Sequence, residues 1–74
     1  MIVITGASDG LGHQLAKLYK EAGKTVVNIS RRECDYADVN VFCDLREDSE
    51  IEKATEEVMA IDEPLEAIVN CAGV

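Results

Sequence analysis

The stretch Thr5-Gly6-Ala7-Ser8-Asp9-Gly10-Leu11-Gly12 constrains this chain more than any other. It joins the apolar run Ile2-Val3-Ile4 directly to a helix-patterned segment. A diphosphate can rest on a helix N-terminus only where the backbone turns sharply, presents its N–H groups and lets strand and helix approach closely, which favours residues without a Cβ. Gly6, Gly10 and Gly12 meet those needs. Their G-x-x-x-G-x-G spacing differs from the G-x-G-x-x-G dinucleotide fingerprint, so the flanking strand and helix carry the reading of a phosphate-binding strand–turn–helix.

At 74 residues the chain makes one small domain, burying roughly 60–65% of its unfolded surface. No apolar stretch approaches the roughly 20 residues that span a bilayer, and Ile2–Ile4 has neither a basic leader nor a cleavage region, so the expectation is a soluble, cytoplasmic protein without a membrane partner. Cys34, Cys43 and Cys71 are odd in number, nine and 28 residues apart, which fits reduced thiols rather than a disulfide or zinc framework. The net charge of −8 divides into +3 over residues 1–32 and −11 over residues 33–74. Nucleic acid would be repelled by most of this surface, whereas a small phosphorylated ligand could be held beside the glycine turn by Arg31 and Arg32.

Along the chain, Ile2–Thr5 reads as a buried strand. Leu11, Leu15, Leu18 and Ala22 then form one apolar helical stripe that Gly23 ends. Thr25–Ser30 is a second strand, implying a right-handed βαβ unit with parallel strands. Only about eight residues, Arg31–Asp38, connect it to a third strand at Val39–Cys43, fewer than a helical crossover needs. An extended loop or single turn around Cys34–Asp38 is expected there, with Tyr36 packing over the sheet. Ser49-Glu50-Ile51-Glu52 reads as a capping box opening a second helix, whose Ile51, Ala54, Thr55, Val58 and Met59 share a face. The acidic residues Glu47, Asp48, Glu50 and Glu52 suit the positive end of its dipole. Leu65–Asn70 is the fourth strand. The fold class is α/β, a partial Rossmann-type parallel sheet in order 3-2-1-4 with flanking helices at about residues 11–22 and 50–60.

These motifs together resemble the N-terminal part of a short-chain dehydrogenase/reductase over the whole chain. Thr5–Gly12 matches the family's T-G-x-x-x-G-x-G, Asp44-Leu45 follows the third strand where the family has an acidic residue, and Asn70-Cys71-Ala72-Gly73 is similar to its N-N-A-G. The resemblance implies that Gly6, Ser8, Asp9, Gly10, Leu11 and Gly12 surround the cofactor's diphosphate and adenosine end. It implies that Asp44, with Leu45 beside it, accepts from the adenine amino group, and that Asn70, Ala72 and Gly73 line the ribose side. Thr5 would tie the first strand to the fourth.

Members of the family carry a catalytic Ser and a Tyr-x-x-x-Lys further along. Tyr19 and Tyr36 are followed four residues later by Gly23 and Asn40. The expectation is therefore residues 1–74 as the N-terminal part of a single dinucleotide-binding domain, truncated after the fourth strand and inactive alone. The alternative is a naturally short, non-catalytic nucleotide-binding or reductase-partner module. For cofactor choice, the second strand ends in Ser30 where NAD-selective sites place an acid, and Arg31 and Arg32 follow with donors suited to a 2′-phosphate. Asp9 stands where NADP-preferring members often carry a basic residue. The balance favours NADP over NAD. A homo-oligomer is expected through an exposed strand-four edge and an uncovered face of Ile68 and Val69.

Overall fold

The computed structural model describes residues 1–72, in the order β1 (Ile2–Thr5), α1 (Gly10–Glu21), β2 (Val26–Ser30), β3 (Val39–Phe42), α2 (Asp48–Met59) and β4 (Ala67–Asn70). All four strands are parallel, in the order β3-β2-β1-β4. The expected order is therefore observed, with each strand boundary within two residues. Because strand side chains alternate, each inner strand supplies both faces of the sheet. Ile2, Ile4 and Val26 pack towards α1, while Val3, Val27, Val41 and Cys43 pack with Ala54 of α2. Ile4, Val26 and Val27 are fully buried, each worth about 1.5–3 kcal/mol of transfer free energy.

The face of α1 that meets the sheet differs from the expected stripe. Gly12 and Ala16 are buried and Leu15 and Tyr19 half-buried, whereas Leu11, Leu18 and Ala22 are exposed. Two small residues one turn apart allow the helix to approach the strands closely, and the larger leucines are displaced to its flank. The end of α1 is as expected: the Gly23 N–H donates to the Lys20 carbonyl and the Lys24 N–H to the Tyr19 carbonyl, a Schellman pair.

The short β2–β3 connection contains no helix. A single turn closes it, with the Ala37 N–H donating to the Cys34 carbonyl at 3.1 Å, and Tyr36 packs into the α1-side core with its ring centroid 5.0 Å from that of His13. Asp38 then locks the connection to β2. Its N–H donates to the Val26 carbonyl at 2.8 Å while its Oδ2 accepts the Val26 N–H at 2.8 Å. An ion pair with Lys20 and the Val26 N–H hold the Asp38 carboxyl below the usual carboxylate range.

Ser49 is not the cap of α2. The cap is Glu47, Ser49 lies in the first turn, and no side chain caps the helix at that position. Glu50, which the expected box placed one residue past the cap, instead reaches back with Oε1 to accept the Asp44 N–H at 2.9 Å. Only Ala54 and, in part, Val58 of the expected apolar face pack inward. Met59 is 79% exposed. The face around β4 also differs from expectation: Ile68 is exposed, but Val69 points to the opposite side and is half-buried in the α1-side core.

Candidate functional site

The carboxyl ends of β1, β2, β3 and β4 surround a cavity of about 830 Å³. Parallel strands bring their exit loops to one rim, and the rim lies where β1 parts its neighbours: chain progress runs from β1 towards β2 and β3 on one side and reaches β4 on the other. Open α/β sheets bind ligands at such switch points.

The glycine turn forms the floor of this rim. Gly6 has φ +72°, in the left-handed region, and a Cβ there would come within 3.0 Å of the Ala72 backbone. Gly12 lies beneath the turn, where a Cβ would fall 2.3 Å from the Gly6 carbonyl oxygen. Glycine thus presses α1 against the turn. Gly6, Ser8 and Asp9 line the cavity, whereas Gly10, Leu11 and Gly12 lie outside its lining. Asp9 occupies the helix cap position without a side-chain capping bond and is exposed.

Thr5 joins β1 to the β4 exit as expected. Its hydroxyl donates to Asn70 Oδ1 at 2.6 Å and accepts the Cys71 N–H at 3.2 Å and the Ala72 N–H at 3.4 Å. Asn70, Cys71 and Ala72 line the cavity. Gly73, expected beside them, lies outside the described residues.

On the β2 side, Ser30, Arg31 and Arg32 line the cavity. The Ser30 hydroxyl is committed within the chain, donating to the Arg32 carbonyl at 2.5 Å and accepting the Arg32 N–H at 3.0 Å. It acts as a turn lock. Arg31 and Arg32 form no ion pair among the described residues.

Asp44 and Leu45 reach the same cavity from β3. Arg46, which sequence reasoning missed, grips Asp44: Nε donates to Oδ1 at 3.0 Å, Nη2 to Oδ2 at 2.9 Å, and the Arg46 N–H to Oδ1 at 3.0 Å. These bonds, with Arg31 adding a longer-range attraction, bring the Asp44 carboxyl down to about 2. The only sequence signal was the spacing Asp-x-Arg, which permits such a bidentate return. Asn28 was missed as well. It sits 1% exposed in β2 and accepts the Ala7 N–H of the glycine turn at 3.0 Å. A lone amide within a β-branched run was its signal.

The geometry is that of a switch-point cleft with a glycine turn on one side, cations on the second and a pinned carboxylate on the third. The family model for short chain dehydrogenase matches residues 1–74. The chain belongs to the short-chain dehydrogenase family. The protein FixR of Bradyrhizobium diazoefficiens is 34% identical over 84 residues, covering 100% of this chain and 30% of that relative. The crystal structure of a short-chain dehydrogenase/reductase from Vibrio parahaemolyticus superposes with a TM-score of 0.82 at 34% identity, covering 99% of this chain and 36% of that one. The chain thus spans about a third of the length of these relatives. Members of this family bind an NAD(P) dinucleotide. Among the described residues no helix is long and apolar enough to cross a membrane.

Proposed function

We propose that the chain is the NADP(H)-binding N-terminal part of a short-chain reductase that, complete, transfers hydride between the nicotinamide and a carbonyl or alcohol substrate. One observation supports NADP above all. Arg31 and Arg32 reach the cleft at the end of β2 without an ion-pair partner among the described residues, while the strand ends in Ser30 instead of an acid. A carboxylate there would bind a ribose 2′-hydroxyl and repel a 2′-phosphate; guanidinium groups reverse that preference.

The pinned Asp44 strengthens this reading, because Arg46 offsets its charge and leaves two cations facing the ribose end. Gly6, Ser8 and the start of α1 would hold the diphosphate, and Asn70 and Ala72 the far ribose. The 74 residues contain no Tyr-x-x-x-Lys. Val3, Thr55, Val58, Met59, Leu65 and Ile68 line an apolar groove of about 230 Å³ on the α2 side of the sheet, an uncovered face that supports association of copies beside the open β4 edge.

Calorimetric titration separates the cofactor readings. NADP⁺ should bind more tightly than NAD⁺, and Arg31→Ala should remove about 1–3 kcal/mol of that preference, the worth of a charge-assisted contact. Equal affinities in the unaltered chain would refute the NADP assignment. Sedimentation addresses association, and a monomer at millimolar concentration would refute pairing through β4.

A further inference from the structure

Asn28 is the one buried polar side chain among the described residues. It faces Ile4 of β1 and Asn40 of β3 across the sheet, at the level where the two flanking loops leave their strands. A valine or isoleucine in this place would gain transfer free energy, whereas a buried amide contributes only if its donors and acceptor are satisfied. Asn28 satisfies them in two directions. Its Oδ1 accepts the Ala7 N–H of the glycine turn at 3.0 Å, and its Nδ2 donates to the Arg32 carbonyl at 2.9 Å and to Asn40 Oδ1 at 2.9 Å. Asn40 Oδ1 in turn accepts the Cys34 N–H at 2.8 Å. The loop from Ser30 to Cys34 has no helix to hold it, and these amides, together with the buried Cys34 side chain, attach it to the sheet interior.

We propose that Asn28 is a positioning residue that joins the diphosphate-facing turn to the arginine-bearing loop, so that both arms of the cleft keep one spacing before ligand arrives. The proposal rests on the dinucleotide reading above. A ligand with phosphates at two separated points must order both loops if they move independently, and that ordering is subtracted from its affinity. One amide bonded to both arms removes much of that cost.

Amide hydrogen exchange and calorimetry on the full chain decide the matter together. Asn28→Leu keeps the approximate shape of the side chain and removes its bonds; Asn40→Leu, on the exposed edge strand, detaches the Cys34 arm; Asn40→Gln keeps a neutral amide with an acceptor oxygen. Coupling is read where the direct partner remains. Asn28→Leu should speed exchange at Cys34, whose acceptor Asn40 is intact, and Asn40→Leu should speed exchange at Ala7, whose acceptor Asn28 is intact, each by about tenfold beyond any change at Val27. The NADP⁺-over-NAD⁺ affinity ratio should fall about three- to tenfold in both leucine variants and stay near that of the unaltered chain in Asn40→Gln.

A purely structural role would weaken both ligands together through the folded fraction and leave the ratio unmoved. The proposal is overturned if each leucine variant loosens only its own arm, or if the ratio survives in both. If the unaltered chain shows no NADP⁺ preference, the cofactor reading fails by itself, and the exchange measurements still decide the coupling. Should Asn28→Leu not fold, the Asn40 pair carries the decision through Ala7.

Discussion

Gly12→Ala tests the contact that brings α1 under the glycine turn. In a helix interior this substitution ordinarily stabilises, by about 0.5–1 kcal/mol, because alanine loses less backbone freedom than glycine. Here the added Cβ would sit 2.3 Å from the Gly6 carbonyl oxygen, 3.0 Å from its carbon and 3.1 Å from the Ala7 Cα. Ordinary contact begins at 3.4 Å, so the overlap with the oxygen is 3.4 − 2.3 = 1.1 Å. All three obstacles are backbone atoms, and no rotamer change can relieve them. Either α1 shifts off the sheet, opening the Ala16–Ile4 contact, or the turn moves and Gly6 loses its place against Ala72. Overpacking of this kind costs about 1–3 kcal/mol, exceeding the propensity gain, so a net loss of about 1–2 kcal/mol is expected. For a chain this small that corresponds to a melting temperature lower by about 4–15 °C. Urea and thermal unfolding give the stability, and NADP⁺ titration the consequence for binding, which should weaken because the displaced turn is the proposed diphosphate side. A Gly12→Ala chain as stable as the unaltered one, with unchanged affinity, would refute the close-approach account of Gly12.

Asp44 should titrate at about 2 by carboxyl NMR and return towards 3.8 in Arg46→Ala. Since a lowered folded-state value stabilises only above the unfolded value, the contribution of this pair is complete above about pH 4–5 and disappears as pH falls towards 2, and a chain whose acid-unfolding midpoint ignores Arg46→Ala would contradict it. Asp38→Ala should cost about 1–3 kcal/mol in urea unfolding at pH 7, chiefly by leaving the buried Val26 N–H without its acceptor. Its lowered carboxyl places this loss on the same acid side, so the difference between the two chains should narrow below about pH 4; an unchanged difference would count against it. Cys43 is 1% exposed, and burial, followed by Glu50 and Asp44, raises its thiol above the ordinary range, so iodoacetamide should modify Cys71 first in the folded chain, as read by peptide mass mapping. Faster labelling at Cys43 would contradict its placement.

Local rules made most of the architecture readable. Apolar runs bounded by Gly and polar turns located the strands, and the brevity of Arg31–Asp38 correctly excluded a helix between β2 and β3. What the pattern could not assign was which side of α1 faces the sheet. A 3.6-residue period marks a stripe of apolar residues but not their neighbours, and the stripe through Leu11 and Leu18 lost to the small residues Gly12 and Ala16. The same limitation explains α2. Ser49 and Glu52 have capping-box spacing, yet the helix starts earlier because Glu50 gains a backbone donor outside the helix, at Asp44.

The cleft was readable where chemistry is carried by residue type along the chain, and hidden where it depends on pairing across it. Gly6, Asp44, Arg31 and Asn70 lie at the ends of four strands, and parallel topology alone brings those ends to one rim. The family motif read Asp44 as an open acceptor for the adenine amino group. Arg46 changes that reading, because a bidentate ion pair engages both carboxylate oxygens, leaving fewer lone pairs free, and contributes no net charge to the proposed ribose end. Without Arg46, Asp44 would compete with a ligand phosphate for Arg31, the cation whose field it already feels. Arg46, two residues after Asp44, therefore bears on the same selectivity as the two residues after Ser30. Double substitution provides the discriminating case: Arg46→Ala should lower the NADP⁺ preference, and adding Asp44→Asn should restore it by removing the competing charge. Failure of the second change to restore the preference would locate the role of Arg46 in packing instead of charge.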